Sequence, residues 1–84
     1  MATMKHDLLQ AFLIEVRDQG SNRTDRRKLA WMLGRQNLNA SAYELLLGEW
    51  EQLGEDRKTL RGFQHGDSLT FTIANSEAVV GWAT

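Results

Sequence analysis

Residues Asp25–Gly54, DRRKLAWMLGRQNLNASAYELLLGEWEQLG, decide how the chain reads. Leu29, Met32 and Leu33 fall at helical spacing, Ala30 leaves room for a close crossing, and Gly34 sits where that helix should stop. "RQNLN" then makes a turn with Leu38 directed at the core. Asn39 or Ser41 caps a second amphipathic segment, in which Tyr43, Leu46, Leu47, Trp50 and Leu53 recur every three or four residues. Gly54 closes it. Gly48 lies inside this second helix, where glycine costs about 1 kcal/mol against alanine, and the spacing suggests a close backbone contact there.

Working toward the N-terminus, Leu8, Leu9, Phe12, Leu13 and Val16 predict a helix over Thr3–Gln19, stopped by Gly20. "GSNRT" reads as a short loop, with Thr24 as cap of the next helix and Asp25 favourably placed against its dipole. Working toward the C-terminus, the hydrophobic period changes after Lys58 from about 3.6 to 2. "KTLRGF" and "SLTFTI" are strand candidates, the latter with Leu69, Phe71 and Ile73 on one face. "QHGD" between them contains the glycine of a tight hairpin turn. "ANSEAVVGWAT" is either a third strand or an apolar tail docked on this chain or another.

Eighty-four residues make one small domain, with 42% apolar and 25% charged residues. The chain has no cysteine and no proline, which removes disulfides and thiolate metal sites and makes a reducing cytoplasm the expected compartment. No secretory signal or membrane span is expected. His6 with Asp7 and His65 with Asp67 lack any metal-ligand spacing. No nucleophile-base pairing or phosphate loop is present. No enzyme, cofactor or metal is expected.

The net charge of −1 hides a division. Met1–Arg35 carries seven basic and four acidic residues, a balance of +3; Gln36–Asp56 carries five acidic and none basic, or −5; the remainder stands at +1. Such blocks give one domain faces of opposite sign.

Three helices followed by a basic-aromatic hairpin resemble a winged helix-turn-helix. The resemblance rests on Leu29-Ala30, Gly34 in the turn, and the ending Leu46, Trp50, Leu53, Gly54, and it covers roughly Asp7 to Ile73. It implies an α+β fold, with a winged-helix-like unit over 1–73 and a tail over 74–84. It also implies a third helix in the major groove of DNA and a hairpin wing on the backbone. The function so implied is that of a small DNA-binding regulator, such as a bacterial or phage winged-helix protein acting on double-stranded DNA as a dimer. The third helix departs from that chemistry, since DNA affinity comes largely from lysine and arginine and this helix has neither. Phosphate contacts would come instead from Arg23, Arg26, Arg27, Lys28 and Arg35, and from Arg57, Lys58 and Arg61 at the base of the wing. Asn37, Asn39, Ser41 and Gln52 would add polar contacts. The alternative is a winged-helix-derived protein-interaction module that uses the acidic, smooth face of the third helix, or Trp31 with the basic cluster. Its candidate residues are Trp31, Glu44, Leu45, Glu49 and Trp82, with Trp31 out of step with the apolar stripe and so exposed.

Overall fold

A computed structural model describes residues 3–74 and 76–84 of the chain. Met1, Ala2 and Asn75 lie outside the described residues, and so do the parts of the 1–73 and 74–84 units that fall on them. The architecture is α+β, with three helices and a four-stranded antiparallel sheet. Helix α1 spans His6–Gln19, strand β1 Ser21–Asp25, α2 Arg26–Leu33 and α3 Ala40–Gln52. A 3-10 turn at Arg57–Thr59 leads into β2 (Arg61–His65) and β3 (Ser68–Thr72); β4 (Glu77–Ala78) and a second 3-10 helix (Val79–Ala83) end the chain. The sheet order is β1-β3-β2-β4.

Strand β1 replaces the expected loop. Its five residues pair with β3 from Ser21 opposite Thr72 to Asp25 opposite Ser68. Thr24 therefore lies in a ladder opposite Leu69, and the helix cap moves on by one residue. The Asp25 carboxylate accepts from Lys28 N–H at 2.6 Å. The strand's outer edge is partly closed by a side chain. Asn22 Oδ1 accepts from the Arg23 N–H at 2.9 Å, while Asn22 Nδ2 reaches Glu15 at 2.8 Å on α1. An edge N–H already bonded is a poor template for another strand.

Helix α1 begins at His6 rather than Thr3 because the chain before it is committed elsewhere. Lys5 N–H donates to Met32 O at 2.6 Å, across the end of α2. There Gly34 takes φ of 70°, and a Cβ at Gly34 would sit 2.6 Å from the Thr3 carbonyl carbon. The position thus needs glycine both for its left-handed backbone and for the close passage of the N-terminal segment. Arg35 N–H bonds back to Ala30 O at 2.8 Å, which completes the helix stop and fixes where Arg35 leaves the helix. Eight residues are too few for α2 to be stable alone. Burial of Leu29, Ala30, Met32 and Leu33 holds it in place.

Helix α3 is capped by Asn39, whose Oδ1 accepts from Ala42 N–H at 3.0 Å. Its inner side is the centre of the core. Leu46, Leu47 and Trp50 have no exposed surface and meet Leu9, Leu13 and Val16 of α1, Leu29 of α2, and Leu60, Leu69 and Phe71 of the sheet region. Phe12 meets Phe71 edge-on, with ring centroids 5.8 Å apart. Two apolar positions depart from the periodic reading. Leu8 is 47% exposed, one residue outside the α1 stripe, and Ile73 is 46% exposed because β3 stops at Thr72.

The hairpin is shorter than a wing in the usual sense. The β2–β3 register closes at His65 opposite Ser68 and leaves only Gly66-Asp67 as the turn. The tail does two things. Glu77–Ala78 pair with β2, and the following 3-10 helix buries Val79 and lays Trp82 against Tyr43 and Phe71, at 5.3 and 6.0 Å between centroids. The tail is thus docked on its own chain, over α3.

No close contact explains Gly48, since nothing lies within 4 Å of the position its Cβ would occupy. Gly48→Ala is therefore expected to stabilise the domain by about 1 kcal/mol, through helix propensity alone. Urea denaturation followed by circular dichroism should show the midpoint rising with an unchanged slope.

Candidate nucleic-acid interface

The start of α2 gathers most of the expected basic residues because β1 delivers the chain there beside the hairpin turn. Arg26 is the hinge of this region. Its N–H donates to Asp67 O at 2.8 Å in the β2–β3 turn, and its guanidinium donates to Gln64 Oε1 at 2.8 Å on β2. Across from it lies Tyr43, buried, with a hydroxyl that has no hydrogen-bond partner of good geometry. Burial pushes that phenol above its ordinary pKa, and the nearby Arg26 guanidinium works against the rise.

From Arg26 the surface opens into a groove of about 340 Å³ between α2 and the α2–α3 turn. Arg26, Arg27, Trp31, Arg35 and Asn37 line it. A neighbouring depression is bounded by Asp25, Arg26, Arg27 and Asp67, and a third by Arg23, Asp25 and Lys28. Sharing residues, the three form one track from Arg35 to Arg23. Among the described residues, no ion pair engages Arg23, Arg26, Arg27, Lys28 or Arg35. Asp25 and Asp67 interrupt the track with negative charge, although the Asp25 carboxylate is occupied as the α2 cap.

The other expected contacts are placed differently. Arg57 is in the 3-10 turn before the hairpin and clamps two carboxylates of α3, reaching Glu44 at 2.7 and 3.1 Å and Glu51 at 2.9 Å. Its hydrogen bond holds Glu51 below the usual carboxylate pKa, and the two carboxylates push Arg57 further up. Arg57 is thus committed within the fold rather than presented to a partner. Arg61 is half-buried and donates to the Ser76 carbonyl, tying the tail to β2. Lys58 is exposed but stands on the same 3-10 turn, and the hairpin turn itself carries no lysine or arginine.

The acidic, smooth face expected on α3 is also revised. Glu49 is only 5% exposed. Its carboxylate lies 2.6 Å from His6 Nδ1 and accepts from Gln10 Nε2 at 3.2 Å, so it fastens α1 to α3. Nothing in the sequence separated Glu49 from Glu44 and Glu51; the difference lies in which helix passes beside it. Ala42 is fully buried, Leu45 is half-buried against the core, and Trp82 is packed inward. Trp31, by contrast, is 50% exposed, with Lys5 Nζ 4.9 Å from its ring centroid. The residues of the protein-contact alternative therefore do not share one open surface.

Among the described residues, no three His, Cys, Asp or Glu side chains come together to hold a metal ion, and no helix is long and apolar enough to cross a membrane. No protein-family model matches the chain, and neither does any curated protein or solved structure.

Proposed function

We propose that the protein is a small winged-helix-like regulator that binds duplex DNA through the basic track along α2. The helix-plus-hairpin order supports the scaffold part of this reading. One observation carries the rest. Five cationic side chains, Arg23, Arg26, Arg27, Lys28 and Arg35, lie along adjoining depressions, and among the described residues none is held in an ion pair, although Asp25 and Asp67 lie between them. Of the five, Arg26 alone has a side-chain bond within the fold, to Gln64, and positive charge at the start of α2 opposes the helix dipole. Phosphates would supply the missing counter-charge.

The mode of binding differs from the one the resemblance implies. The open stripe of α3 presents Glu44 and Glu51, and the tail covers another side, so the phosphate-positioning role falls to α2 and its flanking turns. The Arg57 clamp lowers the repulsion that these two glutamates would exert on nearby phosphates. A protein-interaction role through α3 has less to stand on, because Glu49 is buried and Leu45 is half-buried.

Arg27 and Arg35 are the residues to change, since both are exposed and neither holds the fold together through an ion pair. The double variant Arg27→Gln, Arg35→Gln should weaken binding to a blunt random-sequence duplex at every salt concentration. It should also flatten the slope of log K against log salt by about two units, roughly 0.9 for each phosphate no longer neutralised. Fluorescence anisotropy across a salt series reads both. Binding by the native chain that ignores salt, or an unchanged slope in the variant, would refute the proposal.

A further inference from the structure

The geometry points to the Trp31 groove as a seat for an unpaired nucleobase, next to phosphates held by Arg27 and Arg35. This rests on the duplex-binding reading and adds a feature to it. An indole that is half exposed costs solubility unless something covers it. Here Trp31 lines the same groove as Arg26, Arg27, Arg35 and Asn37. The ring is also fixed in place. Lys5 Nζ sits over it, and that ammonium is itself anchored to Thr3 O at 2.9 Å. Lys5 does not line the groove, and half of the Trp31 surface stays exposed.

A fixed aromatic ring with cations on either side is the arrangement that takes a base by stacking and its flanking phosphates by charge. Arg27 and Arg35 flank Trp31 at four residues before and after, which puts Arg27 one helical turn away on the same face. Asn37 offers both donor and acceptor to a base edge. A paired base inside a duplex has both faces covered by its neighbours and can offer Trp31 nothing to stack on. A base in an overhang, a bulge or a frayed end can. The groove, at about 340 Å³, is at the lower end of small-ligand site volumes, which suits one base and not a long segment.

The test compares a blunt duplex with the same duplex bearing a short single-stranded thymidine tail, by anisotropy at one moderate salt concentration. The native chain should bind the tailed duplex about tenfold more tightly, the equivalent of one stacked base. Trp31→Ala should abolish that gain, so that the tailed and the blunt duplex bind this variant alike. Trp31→Phe, which keeps a ring, should retain most of the gain. Tailed binding should also quench tryptophan emission in the native chain, because Trp50 has no exposed surface and Trp82 packs against Tyr43 and Phe71. If blunt duplex binds with the expected salt slope and the tail adds nothing, the groove inference falls and the duplex reading stands. If neither DNA binds, both fall. If a polyglutamate chain displaces the tail as well as an oligothymidine does, the groove reads charge alone and the stacking role is overturned.

Discussion

Trp50→Ala is expected to remove a large share of the stability of the domain. Trp50 has no exposed surface and stands where α1, α3 and the 3-10 turn meet. Truncating a buried tryptophan costs about 3–5 kcal/mol, from lost transfer free energy and from the cavity left behind. A chain of this length has roughly 4–12 kcal/mol in total. The indole also does polar work. Its Nε1–H donates to Asp56 O at 3.1 Å and to Thr59 Oγ1 at 3.0 Å, and so holds the turn that launches β2. Removing the donor unties the indole from the Asp56 carbonyl and the Thr59 hydroxyl, which remain bonded to each other at 2.7 Å. In urea the midpoint should fall by roughly 1–5 M, given a slope of about 1–3 kcal/mol/M. Trp50→Phe separates the two contributions. It keeps most of the ring and loses the donor, so it should cost about 1–2 kcal/mol. A Trp50→Ala variant whose stability stays within about 1 kcal/mol of the native chain would show that the centre of the core lies elsewhere.

Gly62→Ala is the second large expected effect, and it is unusual in that the residue is an ordinary strand position. No left-handed backbone is involved. A Cβ at Gly62 would lie 2.8 Å from Thr70 O, 3.1 Å from Trp82 Cη2 and 3.2 Å from Phe71 Cδ1. The nearest obstacle is backbone of the paired strand, so it cannot be relieved by a rotamer change. Overpacking of this kind typically costs about 1–3 kcal/mol. Thermal unfolding should show a drop of roughly 4–8 °C for each kcal/mol of destabilisation. Adding Trp82→Ala to the Gly62→Ala background should not restore native stability, because the Thr70 carbonyl remains. Native-like melting of Gly62→Ala would contradict the close approach of the Thr70 carbonyl to Gly62.

Much of the architecture could be read from side-chain period. Leu9, Leu13 and Val16, then Leu29, Met32 and Leu33, then Tyr43, Leu46, Leu47 and Trp50 are buried as their helical spacing predicts. Leu69 and Phe71 are buried as strand alternation predicts. These readings succeed because burial of one face dominates the free energy of an amphipathic segment. Strand β1 escaped because Ser21–Asp25 has no apolar residue and only one β-branched one, so its local preference is that of a loop. Its strand conformation comes from the ladder offered by β3, which lies far along the chain. The basic track was legible as composition and only in part as a site. Arg26, Arg27 and Arg35 meet in one groove, while Arg57 is taken up at the surface by Glu44 and Glu51, and Arg61 by the Ser76 carbonyl.

The amino-acid order by itself determined three helices, a hairpin, the glycine stops at Gly20 and Gly34, and a polarised charge. Tertiary structure alone decided which charges remain free. Charged side chains carry no periodic signal of their own, because a carboxylate is equally soluble on any exposed face. Whether Glu49 meets His6 or Arg57 meets Glu44 depends on which distant segment the packed core brings within about 3 Å, and that distance is set by the folded chain as a whole.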